Sequence, residues 1–356
     1  MRAKPSPERA EQIDRPEHIV PLIYGQYAFH SIRSEHKRAL LLAEQIERIG
    51  ETRNDVVTQL QGRRAQGATR YFLGDFVAAR ALLEQCQGLC EPTHRATAAG
   101  LSADPYAMTL AQLALTLVPL GYIDQARVRC SEALSEARRL RHALTLANVL
   151  LRANLFDWFI RTAEAQRGTE ELLALSTEHD FPLFLGWATA LRGWGLVTLG
   201  EAREGLVLLK RGLTAVRATG AVAGTSRQYL WLAQACAVLD QPIQGLDHLA
   251  DAAEIIETKE ERAFEVELHR LRGNLLRATG DRSAAEQSYH QALAIAKRQS
   301  AKLWELRAAA SLARLWCDQG KRTAARDLLA PVYCWFTEGF DAPVLKDAKA
   351  LLDEQT

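Results

Sequence analysis

Leucine and aromatic residues recur at three- and four-residue steps through most of this chain, the spacing that gives a helix one apolar stripe. Residues 192–213 read RGWGLVTLGEAREGLVLLKRGL, which predicts a helix, a Leu-Gly turn and a second helix. Residues 65–86, 113–134 and 271–293 repeat the same order of elements. The pattern therefore predicts a protein made of helix pairs.

A small residue in the second helix of each pair fixes the length of the repeat. Successive copies of this residue lie 40, 47, 39, 40, 40, 40 and 40 positions apart. Twelve positions earlier lies an anchor position in the first helix, which is also small in most pairs. Two helices that cross closely need small side chains where their backbones approach. The second-helix residues are Ala39, Ala79, Ala126, Ala165, Gly205, Gly245, Ala285 and Ala325, and the first-helix anchors are Tyr27, Gly67, Ala114, Ala153, Gly193, Ala233, Gly273 and Ala313.

Glycine occupies the turn between the two helices in five of these pairs, because a turn with positive φ favours a residue without a Cβ. The glycines are Gly74, Gly121, Gly200, Gly280 and Gly320. No pair can cover its apolar stripe alone, so the pairs must stack. We therefore expect an all-α, right-handed α-α superhelix of about eight pairs with no β-sheet.

The repeat register divides the chain into three parts. Residues 1–20 form an N-terminal extension, residues 21–340 the solenoid, and residues 341–356 a C-terminal capping helix with one apolar face. The longer spacing after Ala79 falls near residues 91–105, where Pro92 and Pro105 bracket an irregular linker. A second loop is expected at residues 217–227.

Composition argues against several classes of partner and site. Lys plus Arg number 44 against 43 Asp plus Glu, which argues against nucleic acid. The uncharged stretch 105–123 fits the repeat as a buried helix, so no membrane span is expected. Cys86, Cys90 and His94 have helical spacing, but Pro92 interrupts them and a fourth ligand is absent, so we expect no metal. Six scattered cysteines suit reduced thiols in a cytoplasmic protein.

Motifs that carry catalysis are missing from the sequence. The phosphate-binding pattern GxxxxGK[ST] is absent, as are GxSxG and HExxH. We therefore expect neither an enzyme nor a cofactor.

The repeat resembles the tetratricopeptide family, which shares the core LG(D/E)xxxA seen here as LGDFVAA at 73–79 and as TGDRSAA at 279–285. Its period of 40 residues exceeds the family's 34. The longer unit resembles the superhelical sensor region of the bacterial maltose-regulon activator class.

The resemblance implies which residues line a binding groove, since the family uses first-helix positions around the anchor. Carried onto this chain, these positions give an aromatic middle and an arginine-rich C-terminal half. Arg270 with Asn274 resembles half of the family's carboxylate clamp, which implies an acidic protein or peptide partner. The implied residues are Arg64, Tyr71, Phe72, Leu150, Asn154, Asp157, Trp158, Trp187, Trp194, Arg227, Arg270, Asn274, Arg277, Arg307 and Arg314.

A second interpretation of the same residues stays open. The tryptophans would pack between pairs, and the arginines would be solvated or paired with Glu267 and its neighbours. The groove interpretation adds that Arg270 and Arg277 are not needed for core packing.

A wider resemblance covers nearly the whole chain. YGQYAFHSIRSEHKRAL near the start and residues 267–316 are similar to the C-terminal region of bacterial signalling proteins. Those proteins join an adenylate cyclase domain, an ATPase domain and a tetratricopeptide region. The resemblance implies a regulatory, protein-interaction module. The alternative is a superhelix that senses a small-molecule effector.

Overall fold

The computed structural model describes residues 16–89, 103–160 and 165–354. For residues 16–18, 88–89, 158–160 and 165 it describes the backbone alone. Within these ranges the chain forms seventeen α-helices and no β-strand. The expected linker near 91–105 lies mostly outside the described residues. The helices are α1 Pro16–Ile32, α2 His36–Thr52, α3 Val56–Phe72, α4 Phe76–Leu89, α5 Pro105–Leu120, α6 Ile123–Leu140, α7 Ala143–Ile160, α8 Ala165–Glu178, α9 Pro182–Thr198, α10 Ala202–Ala218, α11 Thr225–Val238, α12 Pro242–Lys259, α13 Glu265–Ala278, α14 Arg282–Arg298, α15 Lys302–Asp318, α16 Arg322–Cys334 and α17 Pro343–Asp353.

The first sixteen helices form eight consecutive antiparallel pairs, and α17 packs on the last of them. The odd-numbered helices α1–α15 lie side by side and are called the inner helices, while the even-numbered helices α2–α16 are the outer helices. This arrangement confirms the expected all-α superhelix of the tetratricopeptide type.

Small residues lie where the helices of a pair cross, as the fifth pair shows. In the fifth pair, a Cβ on Gly193 would lie 2.7 Å from the carbonyl oxygen of Gly205. A Cβ on Gly205 would lie 2.6 Å from the carbonyl oxygen of Gly193. Two backbones this close leave no room for a side chain on either helix, which explains the repeated Ala and Gly.

Helix α5 is the uncharged stretch that resembled a membrane span. Every residue from Ala107 to Leu120 is buried against neighbouring helices. Among the described residues, no helix is both long and apolar enough to cross a membrane.

The superhelix contacts itself one turn later, a feature that the repeat pattern does not predict. The turns inside pairs one, two and three dock on the loops that follow pairs five to eight. We call this contact the seam. Each turn lies between two successive loops. Pair one meets the loops after pairs five and six, pair two those after pairs six and seven, and pair three those after pairs seven and eight.

Glu261, after pair six, holds the first part of the seam. Its buried carboxylate accepts hydrogen bonds from the hydroxyls of Ser34 (2.6 Å) and Ser226 (2.5 Å) and from the backbone N–H of Gly224 (2.7 Å). Burial raises the pKa of this carboxyl despite the three donors. The carbonyl oxygen of Ile32 accepts two further bonds from the loop after pair five.

His36 lies beside Glu261 and is also buried, stacked 5.1 Å from the Phe72 ring. Its Nε2 lies 4.0 Å from a Glu261 oxygen, and Lys37 and Glu260 are the other charged groups nearby. Burial lowers the pKa of His36 to about 4, so the ring is neutral at pH 7.

At the other end of the seam, the turn of pair three meets the segment after pair eight. Gly121 has φ of 94°, and its missing Cβ would lie 2.8 Å from the Trp335 ring. Glu338 accepts hydrogen bonds from the backbone N–H groups of Asp124 and Gln125 in the first turn of α6, and the Asp124 carboxylate accepts one from the N–H of Gly339. The C-terminal segment is thereby tied to the middle of the chain.

Candidate binding pocket on the inner helices

A pocket of about 490 Å³ opens between the inner helices α9, α11, α13 and α15, with α17 closing one side. This size lies within the range of ordinary ligand sites. Apolar side chains from all five helices line it together with amide, guanidinium and carboxylate groups. Five of the sequence-predicted groove residues line it: Trp194, Arg270, Asn274, Arg307 and Arg314.

One register position supplies a ladder of polar and aromatic side chains along the pocket. Trp194, Gln234, Asn274 and Arg314 each lie one residue after an anchor, 40 residues apart on successive inner helices. The sequence analysis missed Gln234, although the same register position identifies it.

The two amides of this ladder differ in their hydrogen bonding. Oδ1 of Asn274 accepts a hydrogen bond of 2.8 Å from the hydroxyl of the buried Tyr289. The NH2 group of the same amide remains as a hydrogen-bond donor. Oε1 of Gln234 is buried and lacks a donor among the described residues. The ladder thus contains one amide whose NH2 remains as a donor and one amide whose buried oxygen has no donor.

An aromatic cluster forms the α9 end of the pocket. The Trp194 ring stacks on Trp231 with centroids 6.1 Å apart and planes at 15°. Trp187 meets the same ring edge-on at 6.3 Å. Trp187 and Trp231 are buried and Trp194 is half-buried, so Trp194 presents the aromatic surface of the pocket wall.

The arginines at the opposite wall share one buried carboxylate. Arg270 makes two hydrogen bonds of 2.8 Å to Glu267, and a nitrogen of Arg307 lies 3.1 Å from the same carboxylate. Arg270 is only 7% exposed, so the expectation that core packing does not need it is wrong. The Glu267 carboxylate therefore holds two guanidinium groups at this wall.

Arg277 lies outside the pocket lining. It is exposed on α13, and its guanidinium pairs with Asp318 at 3.3 Å. Such an exposed pair contributes little to stability.

The remaining predicted residues lie elsewhere on the inner helices, and most are buried rather than lining an open groove. Tyr71 is 2% exposed and meets Phe264 across the seam, with ring centroids 6.4 Å apart. Asn154 is buried, and its amide donates to the carbonyl of Leu150 (2.9 Å). Asp157 is half-buried, whereas the side chain of Trp158 lies outside the described residues. The others are Arg64 and Arg227, which are buried among aromatic rings, and Phe72, which stacks on His36.

Metal ligands do not cluster in the described part of the chain, where no group of three His, Cys, Asp or Glu residues could hold an ion. Cys90 and His94, two members of the spacing considered in the sequence, lie outside the described residues.

Solved structures with a similar fold are tetratricopeptide-repeat proteins. One is a Rap protein complexed with competence and sporulation factor, with a TM-score of 0.57, 12% identity, and coverage of 84% of this chain and 88% of that one. Another is the APC/C hetero-tetramer Cut9-Hcn1, with a TM-score of 0.54, 13% identity, and coverage of 92% of this chain and 64% of that one. No family model and no curated protein matches by sequence. At these identities the likeness establishes the fold.

Proposed function

We propose that this chain is a non-catalytic regulatory module that binds a peptide segment of a partner protein along the inner helices α9–α15. The observation that carries the proposal is the ladder Trp194, Gln234, Asn274 and Arg314, which places an aromatic face, two amides and a guanidinium along one apolar pocket. Trp and Arg are the residues that most often dominate binding energy at interfaces.

The charge of the pocket favours an acidic partner. Arg270, Arg307 and Arg314 line it against one lining carboxylate, Asp347, with Glu267 behind the wall. A carboxylate on the peptide would meet this excess positive charge with charge-assisted hydrogen bonds. The likeness to a Rap protein solved with a bound factor supports a peptide-sized ligand.

The wider sequence resemblance supports a cytoplasmic signalling context. We propose that the chain is related to the tetratricopeptide region of adenylate cyclase–ATPase signalling proteins. A binding assay on this chain does not depend on that relationship.

A peptide library displayed on phage tests the proposal when parent and pocket-filled proteins are compared. Ala237 is exposed and lines the pocket, so Ala237→Trp fills it without entering the core. Val207, 65% exposed on the outer helix α10, provides the matched control Val207→Trp. We expect acidic peptides that bind the parent and Val207→Trp about equally but bind Ala237→Trp at least ~10-fold more weakly, or about 1.4 kcal/mol. Selected peptides that bind all three proteins equally would exclude this pocket.

The alternative function, sensing of a small-molecule effector, is favoured by a separate group of buried arginines on the inner helices.

A further inference from the structure

Three arginines that do not line the peptide pocket occupy inner helices of alternate pairs: Arg64 on α3, Arg152 on α7 and Arg227 on α11. We call them the arginine cluster. Arg64 and Arg227 are only 6% and 3% exposed, and Arg152 is half-buried. Arginine is rarely buried without an anionic partner, so the partners of these three side chains decide what the cluster does.

The direct hydrogen-bond partners of Arg64 and Arg152 are neutral. Arg64 donates to the Tyr24 hydroxyl at 2.6 Å. Arg152 donates to Oε1 of Gln112 at 3.2 Å and to the carbonyl and side-chain oxygens of Asn148 at 3.1 and 3.2 Å. Within the described part of the chain, none of the three lies within ion-pair distance of a carboxylate.

Aromatic rings enclose the third member, Arg227. Its guanidinium carbon lies 4.9 Å from the Trp187 ring centroid, 5.0 Å from that of Phe264 and 5.5 Å from that of Trp231. Glu261 is the carboxylate that acts on Arg227 through space, but its oxygens already accept bonds from two serines and a backbone N–H. Arg227 therefore keeps a positive charge without a direct anionic partner.

Several donors around the cluster have no acceptor in the described residues. Nε of Arg64, Nε of Arg227 and Nε2 of Gln112 are all buried and unsatisfied. The Gln112 amide is held in this orientation because its oxygen accepts from Arg152. Unsatisfied buried donors are destabilising, so each of these groups calls for an acceptor that the described residues do not supply.

The three charges share one region of low dielectric. Burial, followed by the charges of Arg64 and Arg227, lowers the pKa of Arg152 to about 10. Burial likewise lowers the pKa of Arg227 to about 10. All three side chains are still protonated at pH 7, and the charges of Arg64 and Arg227 both act on Arg152.

We propose that Arg64, Arg152 and Arg227 form a binding site for a small multivalent anion, such as a phosphate- or polycarboxylate-bearing metabolite. An anion with several oxygens would satisfy the unpaired donors and neutralise the repulsion among the guanidinium groups. Because the arginines belong to pairs two, four and six, the same anion would connect both sides of the seam. None of the three arginines lines the peptide pocket, although Arg227 contacts Trp187 and Trp231 behind its aromatic wall. The two sites are tested with different ligands and different variants, so either proposal can fail without the other.

Thermal unfolding of the full chain in defined anions tests the proposal. Inorganic phosphate and citrate serve as probes, with chloride and acetate at matched ionic strength as controls. We expect phosphate, citrate or both to raise the melting temperature of the parent, since a ligand that binds only the folded state stabilises it. The two probes distinguish a phosphate-bearing from a carboxylate-bearing ligand. A parent that melts alike in all four anions would overturn the proposal.

Arg152→Met, Arg152→Lys and the exposed control Arg192→Met separate binding from general charge effects. Arg192 is half-exposed on α9 and pairs weakly with Glu170 at 3.5 Å, so its loss removes one charge outside the cluster. By titration calorimetry we expect Arg152→Met to bind the active anion at least ~10-fold more weakly. The affinity of Arg152→Lys for the anion should lie between those of the parent and Arg152→Met, because lysine keeps the charge but not the planar guanidinium group.

The melting temperature without added anion supplies the second readout. A purely structural arginine would lower it when replaced. Removing a charge that is repelled by Arg64 and Arg227 should instead offset the lost hydrogen bonds to Gln112 and Asn148 and leave Arg152→Met near the parent value. An anion-induced shift that survives in Arg152→Met, or a variant that melts well below the parent in anion-free buffer, would contradict the site.

Discussion

The seam can be tested by adding one methyl group at two turns of the same geometry. Gly121 and Gly200 occupy the same place in pairs three and five, with φ of 94° and 93°. Alanine at either position pays the same backbone cost, about 1–2 kcal/mol for a left-handed conformation. The two positions differ only in their surroundings, so their comparison isolates the seam.

At Gly200 nothing lies within 4 Å of the added Cβ, whereas at Gly121 the Cβ would lie 2.8 Å from the Trp335 ring and 3.0 Å from the Phe336 ring. Phe336 is 4% exposed and cannot move into solvent without losing its packing. Overpacking of this kind costs about 1–3 kcal/mol. We therefore expect Gly121→Ala to lose about 2–5 kcal/mol in total and Gly200→Ala about 1–2 kcal/mol.

Urea unfolding followed by far-UV circular dichroism measures this difference. Hydrogen exchange at the Gly339 amide, which donates to Asp124 at 2.9 Å across the seam, reports the local contact. Gly121→Ala should speed exchange at Gly339 and Gly200→Ala should not. Equal losses of stability, with unchanged exchange at Gly339 in both variants, would refute the idea that the seam holds successive superhelical turns together.

Three further changes probe the pH response, the pair crossing and the pocket wall. His36 has a folded pKa of about 4, below its ordinary 6.5, so the free energy of unfolding should fall as the pH drops from 6.5 towards 4. Urea unfolding at pH 7.5 and at pH 5 measures this fall, and His36→Phe should make it smaller by about 2 kcal/mol. Gly205→Leu should cost at least about 1–3 kcal/mol, because the Gly193 carbonyl leaves no room for a side chain, and parental melting would contradict the register. Arg270→Glu should destabilise the fold by about 3–5 kcal/mol, because the buried Glu267 carboxylate loses this partner and gains a negative neighbour. Unchanged helical content and an unchanged melting temperature would show that the pair is dispensable.

The local repeat was predictable because one physical requirement recurs in every pair. A close helix crossing admits only a small residue, so Gly205 and the alanines at equivalent positions mark the second helices directly. The turn glycines add the register within each pair. Fold class and the number of pairs follow from these two signals without any long-range information.

The seam and the true environment of the groove residues were not predictable in this way. Gly121 and Gly200 both follow a leucine at the turn of their pair, yet of the two only Gly121 touches another turn of the superhelix. That difference depends on superhelical pitch, which sums small rotations over five pairs and leaves no local motif. For the same reason, Tyr71 and Arg227 matched groove positions but became buried where the turns meet.

The pocket wall shows an intermediate case. Glu267 lies three residues before Arg270, so a helix predicts their pairing, and the structure shows it. What the sequence did not decide was burial, because Glu267 also pairs with Arg307 on the next inner helix. Gln234 shares its register position with Asn274, and a uniform application of the repeat would have found it.

Hydrogen–deuterium exchange of the full chain, with and without a peptide selected on its pocket, most directly tests whether the inner helices form the binding surface. We expect the peptide to slow exchange in α9, α11, α13 and α15 around Trp194 and Asn274, and to leave the outer helices α10, α12, α14 and α16 unchanged. Protection confined to the outer helices, or no protection in a saturated complex, would contradict the proposed binding function.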